Sequence, residues 1–134
     1  MREILFRGKR TDNKKWVVDN SVLFFKNSTK IYGALNGWRE VEVISETIGQ
    51  YTGLTDKNGT KIFEGDIVKV RLLYSNGERA TEITTVVYDE NNCCYSPMNW
   101  KESCQWCDYS TSIKEIEVIG NIYDNPELLR SDIE

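Results

Sequence analysis

The sequence predicts an all-β protein, built from small barrel-like or closely packed sheets with a short helical turn near its C-terminus. Three observations carry this expectation. Apolar and polar residues alternate with period two along much of the chain. β-Branched residues crowd the same runs, where they suit a pleated, half-buried surface. Asn-Gly and related pairs recur between the runs, and these favour tight turns.

Taken in order, the pair Asp19-Asn20 is the first candidate turn, and Asn36-Gly37 is the next. Val41 and Val43 then alternate with Glu40 and Glu42, as a strand with one buried face requires. Asn58-Gly59 separates Tyr51-Thr52 from Lys61-Ile62-Phe63, and Asn76-Gly77 separates Ile67–Tyr74 from Thr81–Tyr88. Asn-Gly supplies the positive φ of hairpin turns, so residues 67–74 are expected to pair with 81–88. That hairpin should bury Val68, Val70 and Leu72 and turn Lys69 and Arg71 to water. Glu90-Asn91-Asn92 should close the strand that ends at Tyr88. Residues 100–112 are aromatic and polar without a period and read as an irregular loop with one short turn of helix. Ile116 and Val118 alternate with Glu115 and Glu117. Asn125 is placed to cap a final turn, with Pro126 at its first position and Glu127 to Arg130 following. The whole amounts to about seven to ten short strands.

The 134 residues fit a single domain, with a soft division near residue 47 where the pattern restarts. Ile4 to Phe6 is far short of the ~7–15 apolar residues of a signal-peptide core. No stretch approaches the ~20 apolar residues of a membrane-spanning helix. The expected location is the cytoplasm, with no membrane partner. Net charge is −4, which argues against wrapping nucleic acid. The charge is uneven: residues 1–15 carry a net +4 and residues 115–134 a net −5. Mutual attraction of the two ends is the preferred reading over a basic binding face. Histidine is absent. Its absence excludes Ser-His-Asp and Cys-His nucleophile activation, His-bearing zinc sites and a histidine pH switch.

Three segments carry a family resemblance: EILFRGKRTDNKKWV at 3–17, ETIGQYTGLTDKNGTKIFEGDIVKV at 46–70, and EVIGNIYDNPELL at 117–129. In order and spacing they resemble the YopX-like family of small phage and prophage proteins. The resemblance implies a mainly β fold and a phage or prophage setting in a bacterial host. It brings no established activity, and therefore no catalytic residue.

The remaining constellations have plain structural readings. Cys104-Gln105-Trp106-Cys107 has the spacing of one zinc-ribbon knuckle, but its partners would be the adjacent Cys93 and Cys94. Neighbouring strand residues point to opposite faces, so the four are weak zinc candidates and no cofactor is expected. Asp56, Glu64 and Asp66 form a candidate acidic cluster for acid/base work or a metal. The better reading has Asp56 opening an Asp-Lys-Asn-Gly turn and Asp66 accepting a backbone amide before a strand. Arg7, Lys9, Arg10, Lys14, Lys15 and Trp16 form a candidate nucleic-acid face with a stacking ring. With an acidic chain, the tryptophans are better read as core. The leading expectation is thus a non-enzymatic interaction module that binds a host or phage protein, or its own copies. Nucleic-acid binding through the basic face comes second, and a carboxylate-metal hydrolase third.

Overall fold

The computed structural model describes residues 3–74, 76–98 and 111–130. The chain falls into two units, Met1–Gly53 and Leu54–Glu134.

In the first unit, β1 (Phe6–Lys9) and β2 (Trp16–Asp19) form a hairpin whose tip runs over residues 10–15. Lys14 takes φ +62 there, and the Arg10 amide donates to the Lys15 carbonyl at 2.9 Å. The register sets Gly8 opposite Val17 and Lys9 opposite Trp16. Opposite residues share a face, so Val17 and Asp19 point inward while Arg7, Lys9 and Trp16 share the other side. β1 also pairs with the start of β6 (Gly49–Thr55), which carries the chain into the second unit. A second sheet has the order β3 (Ser21–Phe24), β4 (Thr29–Tyr32), β5 (Val41–Val43). The two sheets join where Arg10 bridges Val43 and the Ile44 amide donates to the Lys9 carbonyl at 2.8 Å. Gly8 allows this approach, because a Cβ there would lie 3.1 Å from the Val43 Cβ. The core is Val17, Ile31 and Val43, with Val22, Val41 and Ile48 packed on it. The alternation read at 40–43 holds: Val43 is buried and Glu42 exposed.

The second unit centres on β8 (Asp66–Tyr74), flanked by β9 (Arg79–Thr85) and β12 (Thr111–Asn121). Val68, Val70 and Leu72 are buried as expected, in a core with Ile62 of β7 (Lys61–Phe63) and Val86. Ile113, Ile116 and Val118 of β12 pack against it. Arg71 is exposed, whereas Lys69 is half-buried. Lys69 stands on a central strand between Ile83 and Glu117, and neighbours on both sides cover part of a side chain that an edge strand would leave open.

The Asn76-Gly77 hairpin forms, with Gly77 at φ +92 and the Tyr74 amide donating to the Glu78 carbonyl at 2.9 Å. Its second strand stops at Thr85 and does not run on to Tyr88. β8 begins at Asp66, so no ladder partner exists beyond it: the Val86 amide donates to the Asp66 carbonyl at 2.8 Å and the chain turns away. Residues Val87–Asp89 (β10) pair instead with Cys94–Ser96 (β11) around the Glu90-Asn91-Asn92 turn. The final turn, α1 (Glu127–Arg130), forms where expected, but the Asn125 side chain reaches back to the Asn121 amide at 3.3 Å. Twelve strands lie among the described residues, more than the sequence suggested, because several span only three or four residues. The strand pairings named above are antiparallel, and the described strands close no barrel. No described helix is long and apolar enough to cross a membrane.

Candidate functional site

β2 ends on Asp19, which faces into the first unit and is fully buried. A buried carboxylate needs several donors to offset its lost hydration. Its Oδ1 accepts the Asn20 amide at 2.9 Å and the Leu35 amide at 3.3 Å. Its Oδ2 accepts the Asn36 amide at 2.9 Å and the Asn36 side-chain amide at 2.8 Å. Burial pushes the carboxyl pKa upward, but the donors from Asn20, Asn36 and Leu35 together outweigh it and hold the group below its ordinary 3.8. Gly33 lies beside it, and a Cβ on Gly33 would overlap the carboxylate.

Asp19 thereby fixes the loop that follows β4. Residues Ala34–Asn36 make one 3₁₀ turn, ended by Gly37 at φ +66, whose amide donates to the Ala34 carbonyl at 3.0 Å. Trp38 follows at φ +62, with its amide donating to the Gly33 carbonyl at 2.9 Å. A left-handed backbone costs a bulky residue ~1–2 kcal/mol, so the surrounding bonds must hold it there. The consequence is a fixed apolar projection. Leu35 and Trp38 are each 65% exposed, and the Tyr32 ring lies 5.7 Å from that of Trp38. The sequence pattern places the tryptophans in the core, and for Trp38 that expectation fails, because the Gly33–Trp38 turn carries its ring outward; Leu35 has no signal of its own, and Asp19-Asn20 and Asn36-Gly37 read only as turns. The nearest signal is the Asn36-Gly37 turn motif directly before Trp38; the Asp19 carboxylate that fixes this turn lies 16 and 17 residues from its donors Leu35 and Asn36.

The basic residues share one hairpin but not one chemistry. Arg7 and Lys9 lie over the half-buried Trp16 ring, at 4.6 and 5.8 Å from its centroid. Such cation–π contacts occupy ring surface that a base would otherwise stack on. At the tip, Arg10 holds Asp12 through two bonds of 2.9 and 2.8 Å. That pairing raises the Arg10 pKa and lowers that of Asp12. Lys14 Nζ donates to the Thr11 carbonyl at 3.4 Å, and both Lys14 and Lys15 are exposed.

The three carboxylates of the second unit differ in environment. Asp56 is buried; Oδ1 accepts the amides of Asn58 and Thr60 at 2.8 and 2.9 Å, and Oδ2 accepts Val118 at 2.9 Å. Burial again pushes its pKa up, and the Val118, Thr60 and Asn58 amides, with Lys57, bring it below the ordinary value. Asp66 is buried and accepts the Phe63 amide at 2.8 Å. Glu64 is half-buried. Among the described residues, no three His, Cys, Asp or Glu side chains form a group that could hold a metal. Cys93 and Cys94 are free thiols, and Cys104 and Cys107 lie outside the described residues.

Fold and surface together define a small, mainly β protein of two units, the first of which displays fixed apolar side chains. The chain belongs to the YopX protein family, which it matches over residues 5–130. It is also similar to protein EF1440 from Enterococcus faecalis, known from a crystal structure. The two share 28% identity over 96% of this chain and 99% of that chain, with a TM-score of 0.50. No curated protein matches it.

Proposed function

We propose that this protein is a phage- or prophage-encoded, non-enzymatic interaction module that works in the host cytoplasm. The observation that carries the reading is the Asp19-locked loop with Leu35 and Trp38 held in solvent. Tryptophan in a preorganised setting suits a binding hot spot, because little side-chain or loop entropy is lost on association. The partner class is a protein with an apolar pocket. Support for the absence of chemistry comes from the sequence and from the carboxylates. There is no histidine to serve near neutral pH, and Asp56 and Asp66 accept backbone amides.

The test compares wild type with Trp38→Ala and Leu35→Ala on affinity resin in bacterial lysate, with melting temperatures measured in parallel. The reading expects a specific protein retained by wild type and lost by both variants, which still fold. Equal retention by all three, or none by wild type, overturns it. A second reading, nucleic-acid binding, draws on the Arg7–Lys9–Trp16 cluster. Salt-sensitive binding to DNA or RNA, lost when Lys9, Arg10, Lys14 and Lys15 become alanine, would put it first.

A further inference from the structure

The sheet β3-β4-β5 has two unlike edges. β5 is closed by the Arg10–Val43 bridge and by the Thr11 amide on the Glu42 carbonyl at 3.2 Å. β3 is the last strand on the other side, and no described strand pairs with its outer edge. Exposed edges are normally blunted by charge, proline or a bulge. The outer strands of the second unit follow that rule: β9 carries Arg79 and Glu82, and β12 carries Lys114, Glu115 and Glu117. β3 reads Ser21-Val22-Leu23-Phe24, with Phe25 next, and carries no charge, no proline and no register shift. Phe24 is 76% exposed and Phe25 51%.

The register determines which groups this edge offers. The Phe25 amide donates to the Ser28 carbonyl at 2.8 Å, so Phe25 and Ser28 face each other as a hydrogen-bonded pair. Antiparallel pairs alternate between bonded and non-bonded types. Leu23–Lys30 and Ser21–Tyr32 are therefore bonded pairs, while Phe24–Thr29 and Val22–Ile31 are not. The amides and carbonyls of Val22 and Phe24 consequently point outward, two residues apart.

We propose that β3 is a self-pairing edge, at which two copies of this chain join antiparallel about Leu23. Val22 of one copy then stands opposite Phe24 of the other, and the same pair repeats across the two-fold axis. All four outward donors and acceptors meet in register, giving four backbone hydrogen bonds. Val22 and Phe24 share a face, so each exposed ring gains an apolar cross-strand neighbour. Lys26 of each copy falls opposite the neutral Asn20 of the other, so no like charges meet along the seam. This self-complementarity is what selects a second copy over a foreign strand. Such a seam is smaller than the ~1,200 Å² of stable interfaces, which makes the dimer weak and concentration-dependent. It extends the interaction reading to a second surface, and Trp38 takes no part in it.

Sedimentation of the purified protein over a wide concentration range tests the proposal without any partner. Wild type is expected to shift from monomer to dimer. Phe24→Lys places a charge on the seam and should weaken association by about tenfold or more, with the circular dichroism unchanged. Trp38→Ala should dimerise as wild type does, which separates a failure here from a failure of the binding reading. Leu23→Cys tests the register. Across the axis Leu23 forms a non-bonded pair with Cα atoms ~4.5 Å apart, within reach of a disulfide. Mild oxidation should trap a covalent dimer well above the wild-type background, whereas Ser21→Cys should not. A strictly monomeric wild type, dimerisation indifferent to Phe24→Lys, or cross-linking at 21 in place of 23 would each overturn the proposal.

Discussion

The two units solve the same local problem and put the solution to different use. Each buries an aspartate and spends its oxygens on backbone amides: Asp19 in the first unit, Asp56 in the second. In the second unit the locked turn shows Lys57, Asn58 and Gly59 to water, and Lys57 lies 3.5 and 3.8 Å from Glu115 and Glu117. That turn is a polar closure of the core. In the first unit the locked loop shows Leu35 and Trp38 instead. The charges diverge as well. Residues 1–53 hold nine basic and six acidic side chains, a net +3, while residues 54–134 hold eight and fifteen, a net −7. Among the described residues, five large exposed apolar ones fall in the first unit, Ile4, Phe24, Phe25, Leu35 and Trp38, against Leu54, Val87 and Tyr88 in the second. The lesson is that a buried aspartate makes a loop rigid without deciding what the loop displays. The side chains around it decide that, and only in the first unit are they apolar.

The largest expected effects come from the cores on which both devices rest. Ile31→Ala and Ile62→Ala each remove a fully buried side chain and should cost ~2–5 kcal/mol in denaturant unfolding. If either costs under ~1 kcal/mol, that unit does not depend on the core described for it.

Gly33→Ala comes next. Its Cβ would overlap Asp19, so the loop or the carboxylate must move, at ~3 kcal/mol of stability. Gly59→Ala in the second unit has open space and meets only an unfavourable φ of +82, so ~1 kcal/mol is expected. Equal losses in thermal melts would break the contrast between a crowded lock and a simple turn.

Asp19→Asn and Asp56→Asn should each cost ~1–3 kcal/mol at neutral pH, because a side-chain amide leaves backbone donors unsatisfied. Their pH dependence sharpens the comparison. Both carboxyls sit below the ordinary 3.8 when folded, so their contribution is complete above that value. It is lost as pH falls from there through the folded pKa, where the unfolded chain takes up protons first. Urea midpoints measured between pH 7 and pH 2 should fall less steeply at the acid end in each variant than in wild type. Identical slopes would mean that the aspartates do not carry the acid sensitivity.

The smallest effect on stability belongs to Trp38→Ala, within ~1 kcal/mol by thermal melt, because lost ring contact is offset by little else in so exposed a position. A loss above ~2 kcal/mol would make Trp38 a structural residue and remove the contrast between the two units.

Much of the fold was legible along the chain. Alternation at Val41–Val43 and over Ile67–Leu72 reports one buried face, and Asn76-Gly77 supplies the positive φ its hairpin needs. The turn at Asn58-Gly59 and the amide bond to Asp66 were readable for the same reason, since each acts within four residues. The bond from Asp56 to Val118 spans 62 residues and leaves no local trace. The end of β9 at Thr85 was also out of reach, because it depends on where the neighbouring strand begins. The basic residues at 7–16 are close along the chain, but which of them lie on Trp16 and which holds Asp12 follows from strand register.

What the sequence determined by itself was therefore local: strand periodicity, turn chemistry, the absence of histidine and the resemblance to YopX proteins. These depend on residues close in the chain or on composition, which need no third dimension. Tertiary structure alone decided which apolar residues are core and which are surface. Phe24 and Ile31 are equally apolar in sequence, yet Ile31 is fully buried and Phe24 is 76% exposed. Burial depends on what the other strands place on each face, and β3 is the last strand of its sheet. The lock at Asp19 is of the same kind, because its donors are assembled from Asn20, Leu35 and Asn36 only once β2 and the loop after β4 meet.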